Sequence, residues 1–307
     1  MYDIIGDIHG HAQELKSLLH QLGYEPQGHE YSHPSRKLVF LGDYIDRGPR
    51  NLEVIRIVKA TVDAGNAFAI MGNHEYNAIA YHTSKGEDEY FRPHSKKNQQ
   101  QHEAFIGQLS CYEMCEALDW FRTLPVAIEL EGINVVHASW QHQDIESINQ
   151  AREELGDFNE SFLAESEKKG SDLNLAIERV LKGPEVQLPA GKSFVDKGGH
   201  KRTASRVKWW KRQAGEQLSD YLFGILDMQI PTDLVKNIHD YPLDADPVFF
   251  GHYWLTSEPE PLAPNVACLD YSVAKDGKLC AYHWGGEREL KTKNFVWVNS
   301  EDPCSSK

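Results

Sequence analysis

Three short apolar segments in the first 75 residues end in the same way. YDII runs into GDIHG, KLVFL into GDYIDRG, and AFAIM into GNHE. Each run has strand length and stops at a glycine, and the residues that follow are Asp, Asn or His. Glycine lets the backbone turn sharply, so the next side chain faces the space beyond the strand end. Two amphipathic helical patterns lie between the segments. His11–Leu22 carries Leu15, Leu18, Leu19 and Leu22 on one face and stops at Gly23. Asn51–Ala64 carries Leu52, Ile55, Val58 and Val62 inward and stops at Gly65. This βαβαβ order predicts an α/β fold with at least partly parallel strands. In open sheets of that kind, sites form in the crevice beyond the strand ends.

Later segments deliver more of the same. VAIELEGINVVHAS reads as two strands joined by a tight turn at Glu131–Gly132, the second ending at His137. PVFFGHYW ends a strand at His252, and NVACLDYS and KLCAYHW read as further strands. Residues 83–122 are polar and read as largely helical, and residues 143–185 as exposed helices. The simplest organisation is one domain over 1–307 whose core comes from both ends, with a helical, partly basic insertion at about 141–240. The tail SEDPCSSK reads as frayed.

Composition narrows the function classes. A formal net charge of −14 argues against non-specific binding to duplex nucleic acid or anionic membranes. Five cysteines without a CxxC provide neither a disulfide framework nor zinc-finger spacing. No apolar run approaches membrane-spanning length. MYDIIGD begins a strand at once, with no basic or apolar leader, so a cytoplasmic location is expected.

The residue types at the strand ends choose the chemistry. Asp7, His9, Asp43, Asn73, His137 and His252 are oxygen and nitrogen donors that suit Mn²⁺, Fe²⁺ or Zn²⁺. They are too many for one tetrahedral catalytic ion with an open position. They suit two ions about 3.5–4 Å apart, with Asp43 as the natural bridging ligand and water activated for in-line attack at phosphorus.

GDIHG, GDYIDRG and GNHE, in this order and at these intervals, resemble the signature of the calcineurin-like metallophosphoesterases. The DRG form, and FRTLPVAIELEGINVVHAS, resemble the phosphoprotein phosphatase branch, with its bacterial Ser/Thr phosphatase and symmetrical diadenosine tetraphosphatase relatives. That branch also includes the phosphatase module of bacterial RNA-repair enzymes. The resemblance covers residues 1–80, 118–140 and 247–285. It implies an α/β/β/α sandwich of mixed sheets with a helical insertion. It implies one metal on Asp7, His9 and Asp43 and a second on Asp43, Asn73, His137 and His252, with Mn²⁺ the first choice. It further implies that Arg47 clamps phosphate oxygens, and that His74, oriented by Asp46, protonates the leaving oxygen. Two departures bear on the pocket: HAS stands where HGG is usual, and GHY where GHT is usual, which brings Tyr253 to the substrate side.

The expected activity is hydrolysis of phosphomonoesters, protein-bound or small, without a covalent enzyme intermediate. Two alternatives stand beside it. One is a diadenosine polyphosphate hydrolase, with Trp254, Tyr253 or Trp140 stacking a base. The other is an RNA-end phosphatase or cyclic phosphodiesterase, supported only by the basic stretch 190–212, with its eight Lys or Arg. Expected substrates are therefore a phosphorylated small molecule, a nucleotide or a phosphoprotein. In the basic stretch Arg202 or Arg206 is a candidate second phosphate clamp, and Trp209 and Trp210 are expected to pack on the core. Glu75 reads as a local hydrogen-bonding group. His20, His29, His33, His82, His94 and His102 read as solvated surface residues.

Overall fold

The computed structural model describes residues 1–195, 201–211, 221–223 and 241–300. Two sheets carry the fold. In the first, Tyr2–Ile5 pairs in parallel with Lys37–Phe40, and Lys37–Phe40 in parallel with Ala67–Ala69. The helices Ala12–Gln21 and Asn51–Asp63 are the crossovers. Lys278–Trp284 runs antiparallel beside Tyr2–Ile5 and pairs with Asp270–Tyr271 and Phe295–Asn299, giving six strands. The second sheet has four strands, in the order Val266–Cys268, Val248–Phe250, Ile133–Val136, Ala127–Leu130. All its pairings are parallel except the final hairpin, whose turn places Gly132 at φ 84°.

Strand alternation sorts the core into layers. Ile4, Val39, Leu41 and Ile70 from the first sheet meet Ile133, Val135, Phe249, Ala267 and Leu269 from the second in one buried cluster. The rings of Phe249 and Tyr282 touch across it at 5.1 Å between centroids. The alternate residues Ile5, Leu38, Phe40, Ala67 and Ala69 join Leu15, Leu18, Val54 and Val58 of the two crossover helices. On the far side, Val136, Val248 and Phe250 join Ile148, Ile177 and Val180 of the helices His142–Leu155 and Asp172–Lys182. The result is the α/β/β/α sandwich of mixed sheets. Because every motif-bearing strand is parallel to its motif-bearing neighbours, all the motif ends emerge on one rim.

Several sequence expectations need adjustment. A helix that escaped notice, Asn73–His82, starts at the third motif itself. Residues 83–122 hold a small hairpin, Ser84–Gly86 with Glu89–Tyr90, before the helices Lys96–Gln108 and Cys111–Thr123. The helices of 143–185 are amphipathic rather than simply exposed: Ile148, Phe162, Leu163, Ile177, Val180 and Leu181 are buried. Beyond Lys182 the described part of the insertion is strand, with Glu185–Gln187 pairing with Ala204–Arg206. Its residues 196–200, 212–220 and 224–240, and the tail after Ser300, lie outside the described residues. Trp209 and Trp210 are buried as expected, their rings 5.0 and 5.2 Å from that of Phe250. Cys111, Cys115, Cys268 and Cys280 are free thiols. Among the described residues no helix is long and apolar enough to cross a membrane.

Away from the motif rim, Asp3 ties the first strand to its surroundings. Its side chain is fully buried. It accepts from Tyr24 Oη at 2.9 Å, pairs with Arg36 Nε at 3.2 Å and meets His283 Nδ1 at 2.7 Å. Removing one member of a buried charged network leaves the others uncompensated, at a cost of about 3–5 kcal/mol. Asp3→Ala should therefore lower unfolding free energy by about that amount in urea titrations, with catalysis at low temperature retained. A change within experimental error would show that water replaces the carboxylate.

Candidate metal centre and active site

The strand-end loops are held in conformations that side chains rarely adopt. Positive φ occurs at His9 (46°), Asp43 (53°), Asp46 (70°), Arg47 (66°), His252 (67°) and Trp254 (53°). Each costs roughly 1–3 kcal/mol and persists only where the surroundings over-determine it. Hydrogen bonds do so here. Ile8 N and His9 N both donate to Asp43 O, at 3.1 and 2.8 Å, and Gly10 N donates to Tyr44 O at 2.8 Å, zipping the first two motifs together. The Glu75 carboxylate clips on the third, accepting from Asp43 N (2.8 Å), Tyr44 N (2.8 Å) and Gly72 N (2.9 Å). The fit leaves no room for a Cβ at two glycines. At Gly72 it would stand 2.3 Å from Asp43 N, and at Gly251 1.9 Å from Asp7 Oδ1.

Asp43 sits at the centre. His137 Nε2 is 3.4 Å from its Oδ1, and the His74 N–H donates to the same oxygen at 2.9 Å. His9 Nε2 and His74 Nε2 are 3.7 and 3.9 Å from its Oδ2. The far ring nitrogens are anchored: His9 Nδ1 to Ile45 O at 3.0 Å, His137 Nδ1 to Leu41 O at 2.7 Å. Backbone carbonyls therefore aim both Nε2 atoms inward. Asn73 Oδ1 lies 3.2 Å from His137 Nε2, and Asp7 Oδ2 accepts the His252 N–H at 3.0 Å. Donor atoms of His9, Asp43 and His74 lie within 4.8 Å of one another, as do those of Asp43, His137 and His252. His74 thus stands in the first group, where the sequence reading put Asp7.

Two observations test whether divalent cations fit. First, Asp7 Oδ1, His9 Nε2 and both ring nitrogens of His252 are buried without a hydrogen-bond partner. Such orphans are costly unless something else binds them. Second, the charges are strongly shifted. Burial, with Asp270 and Asp43 nearby, pushes Asp7 well above the usual carboxylate range. Burial opposes ionisation of Asp43 too, but the imidazoles of His137, His74 and His9 hold it well below that range. Burial and the His74 charge bring His9 down to about 3, and burial and Arg206 push His252 well down. Burial opposes the charge of His137, but Asp43 and Asp7 push it up to about 10, and Asp43 and Asp46 raise His74 against its own burial. Imidazoles facing carboxylates, with no sulfur among them, are a donor set for first-row divalent ions.

The profile of the calcineurin-like phosphoesterase family matches residues 2–253. The chain belongs to that family. Over 74 residues this phosphoesterase is 50% identical to bis(5'-nucleosyl)-tetraphosphatase PrpE [asymmetrical] of Halalkalibacterium halodurans, covering 24% of the chain and 30% of that protein. Over 167 residues it is 30% identical to the symmetrical bis(5'-nucleosyl)-tetraphosphatase of Aromatoleum aromaticum, covering 52% and 54%. The chain thus spans a third to a half of those relatives. The cold-active protein-tyrosine phosphatase of a Shewanella species shares the fold, with a TM-score of 0.54 at 16% identity, over 98% of this chain and 80% of that one.

Beside the metal-type donors, the phosphoesterase places its remaining polar groups around one carboxylate. Asp46 Oδ2 meets His74 Nδ1 at 2.5 Å, Asp46 Oδ1 meets His102 Nδ1 at 2.7 Å, and the Asp46 N–H donates to Asn51 Oδ1 at 2.5 Å. Burial opposes its charge, but the two imidazoles bring its carboxyl down to about 2. The Arg47 guanidinium lies 3.8 Å above the Trp254 ring, with one nitrogen 3.5 Å from His74 Nε2. A cavity of about 520 Å³ opens there, lined by Arg47, His74, Gln100, Gln101, Glu103 and Ala104.

Some candidates stand elsewhere than expected. His102 is buried on Asp46 rather than solvated, and His82 Nε2 lies 3.2 Å behind it. The signal was present: His102, Phe105 and Leu109 recur at helical spacing, so His102 falls on the apolar face of its helix. Tyr253 is buried against Trp210, Phe223 and Phe250 instead of facing a substrate. Arg206 is near enough to His252 to depress it, whereas Arg202 is exposed on the strand Lys201–Arg202. Asp270, not singled out from sequence, is buried and accepts from Trp254 N at 2.7 Å and Ser272 N at 3.0 Å. It too ends an apolar strand run, the same signal as the other motifs.

Burial and neighbouring His102 lower His82 to about 4. The unfolded chain binds a proton there near its ordinary value of about 6.5, while the native chain does so only near 4. Between those values the unfolded state holds more protons, so stability falls as pH drops. His82→Gln should flatten the decline in urea-unfolding free energy between pH 7 and pH 5. An equal decline in both proteins would remove His82 as a source.

Proposed function

We propose that this phosphoesterase holds two divalent ions, one on Asp7, His9 and Asp43 and the other on Asp43, Asn73, His137 and His252, and hydrolyses phosphomonoesters. The observation that carries the reading is Asp43 itself, a buried carboxylate shared by two converging groups of donors. Ions bound there would supply Lewis acidity toward phosphoryl oxygens and activation of water at neutral pH. The chain supplies the rest. Arg47, stacked on Trp254, binds the phosphoryl oxygens through its planar fork. His74 directs Nε2 into the cavity and passes its proton to the departing ester oxygen, while Asp46 holds Nδ1. Arg206 approaches from the His252 side as a second candidate contact to the phosphate. Mn²⁺ is the first choice of metal and the cytoplasm the expected location.

Small phosphomonoesters lead because the net charge of −14 repels polyanions and the cavity beside His74 has an acidic residue, Glu103, on its wall. The second reading is hydrolysis of a dinucleoside polyphosphate. It is favoured by Trp254, an aromatic ring beside the clamp with Lys275 Nζ 4.4 Å from it, and by what the curated relatives are named for.

Metal analysis of reconstituted protein should give close to two equivalents per chain, and Asp43→Asn should impair both sites. Full activity with a single equivalent would sink the shared-carboxylate arrangement. The substrate question is decided by kcat/KM on p-nitrophenyl phosphate, phosphopeptides, diadenosine tetraphosphate and cyclic nucleotides. The expected outcome is a monoester preference. A preference above about tenfold, or about 1.4 kcal/mol at the transition state, for diadenosine tetraphosphate or a cyclic nucleotide would move the substrate class and leave the metal centre standing.

A further inference from the structure

The mechanism proposed above assigns no task to His102 or His82, yet both are spent on the carboxylate behind His74. Asp46 receives an imidazole Nδ1 on each oxygen, His74 at 2.5 Å and His102 at 2.7 Å. Its backbone, at φ 70°, is pinned by Asn51. His102 in turn lies against Phe105 (ring centroids 4.8 Å apart, 22° between planes) and presents Nε2 to His82 Nε2 at 3.2 Å.

The hydrogen-bond network fixes the protons that face Asp46. An ionised carboxylate only accepts, so both Nδ1 atoms must donate to Asp46. Between the facing Nε2 atoms of His102 and His82 one proton completes the hydrogen bond, carried by either ring. His82 thereby holds the ring of His102 in place, and His102 fixes the plane of the carboxylate that His74 leans on.

We propose that His102 is a positioning residue for leaving-group protonation: it locks the free oxygen of Asp46, so that the His74 ring keeps its Nδ1–H on Asp46 and, as the imidazolium, presents the proton it delivers on Nε2 to the cavity. The proposal rests on the phosphoesterase reading only for its kinetic arm. His102 touches neither substrate nor metal donors. It belongs to the helix Lys96–Gln108, whose Gln100, Gln101, Glu103 and Ala104 line that same cavity. The helix that walls the leaving-group side therefore also braces the acid.

The test uses the full-length, metal-reconstituted protein. His102→Phe keeps the ring stacked on Phe105 and removes the donor. His102→Asn keeps an amide N–H close to the position of Nδ1. With phenyl phosphate, a poor leaving group, His102→Phe should lose kcat by about tenfold or more, the range seen when an outer partner of a functional histidine is removed. KM and metal content should hold. With p-nitrophenyl phosphate the loss should be much smaller, His102→Asn should recover most of it, and adding His102→Phe to His74→Ala should cost nothing further. Equal losses for both leaving groups, or losses that multiply with those of His74→Ala, overturn the proposal.

A second arm does not depend on activity. Imidazole ¹⁵N correlation spectra should show a protonated Nδ1 on both His74 and His102 in the wild type, with the His74 Nδ1–H signal kept in His102→Asn and lost or broadened in His102→Phe. An Nε2–H tautomer for His102 in the wild type, or an unchanged His74 signal in His102→Phe, overturns it even if one variant fails to fold. A wild-type protein inert on every ester but with these spectra would remove the phosphoesterase assignment of substrate and leave the positioning intact.

Discussion

Asp43 is where the two sheets are tied to one another and where the site's charge is least settled. Its backbone carbonyl receives two N–H groups of the first motif, its N–H is held by Glu75, and its carboxylate faces His137 from the other sheet. Asp7, Asp46, Glu75 and Asp270 are buried around it. Each carboxylate is compensated to a different degree. Glu75 accepts three backbone N–H groups, Asp270 accepts two, and Asp46 has two imidazoles. Asp7 has a single N–H and an orphaned oxygen. Asp43 depends on imidazoles that burial would rather keep neutral. Burial and Asp43 still push Glu75 up to about 7, and burial raises Asp270, so the deficit is shared around Asp43, with the orphaned oxygen on Asp7. Burying charge without a partner costs several kcal/mol per ion, so a divalent cation held at this corner, as proposed, would stabilise the whole rim.

The geometry of the rim was legible in the sequence because it is local. A strand of four or five apolar residues, a glycine and a polar residue read the same way in any context, and three such units separated by amphipathic helices leave little freedom in topology. The full signal recurs at FFGHYW, which placed His252; at VVHA an apolar run with a polar end but no glycine placed His137, and at VACLD the same glycine-free pattern would have placed Asp270. What could not be read were contacts made at long range by residues with no local peculiarity. His102 lies 56 positions from Asp46, inside a polar helix, and only its spacing to Phe105 and Leu109 hinted at burial. Tyr253 misled for the opposite reason. It follows a motif histidine, but its backbone directs the ring toward Trp210 and Phe223, beneath Gly183, where a Cβ would stand 2.1 Å from the Tyr253 hydroxyl.

Those two residues mark the walls of the site, and the walls are built differently from its floor. On the His252 side, Ala138 and Ser139 both hydrogen-bond through their N–H groups to Val180 O, and Ala138 O accepts the Trp209 indole at 3.0 Å. The segment following His137 is therefore an anchor for the insertion, which explains why side chains are tolerated in HAS: both are fully buried against it. With Trp209 and Trp210 seated on Phe250 and Tyr253, the strand Ala204–Arg206 is brought to the rim, and Arg206 is held between Glu185, 3.7 Å away, and the Tyr253 ring. On the His74 side the wall is the helix Lys96–Gln108. Neither wall contains any part of the three motifs. On the proposed reading the reaction chemistry resides on the floor, in residues whose types are dictated by donor chemistry. Selectivity would then come from the walls, where a neutral amide, a carboxylate or a guanidinium can be exchanged without touching a strained backbone position. A change in leaving group should therefore be answered at Gln100, Gln101 and Glu103, and a change in the charge of the transferred phosphoryl group at Arg206, with the floor unaltered.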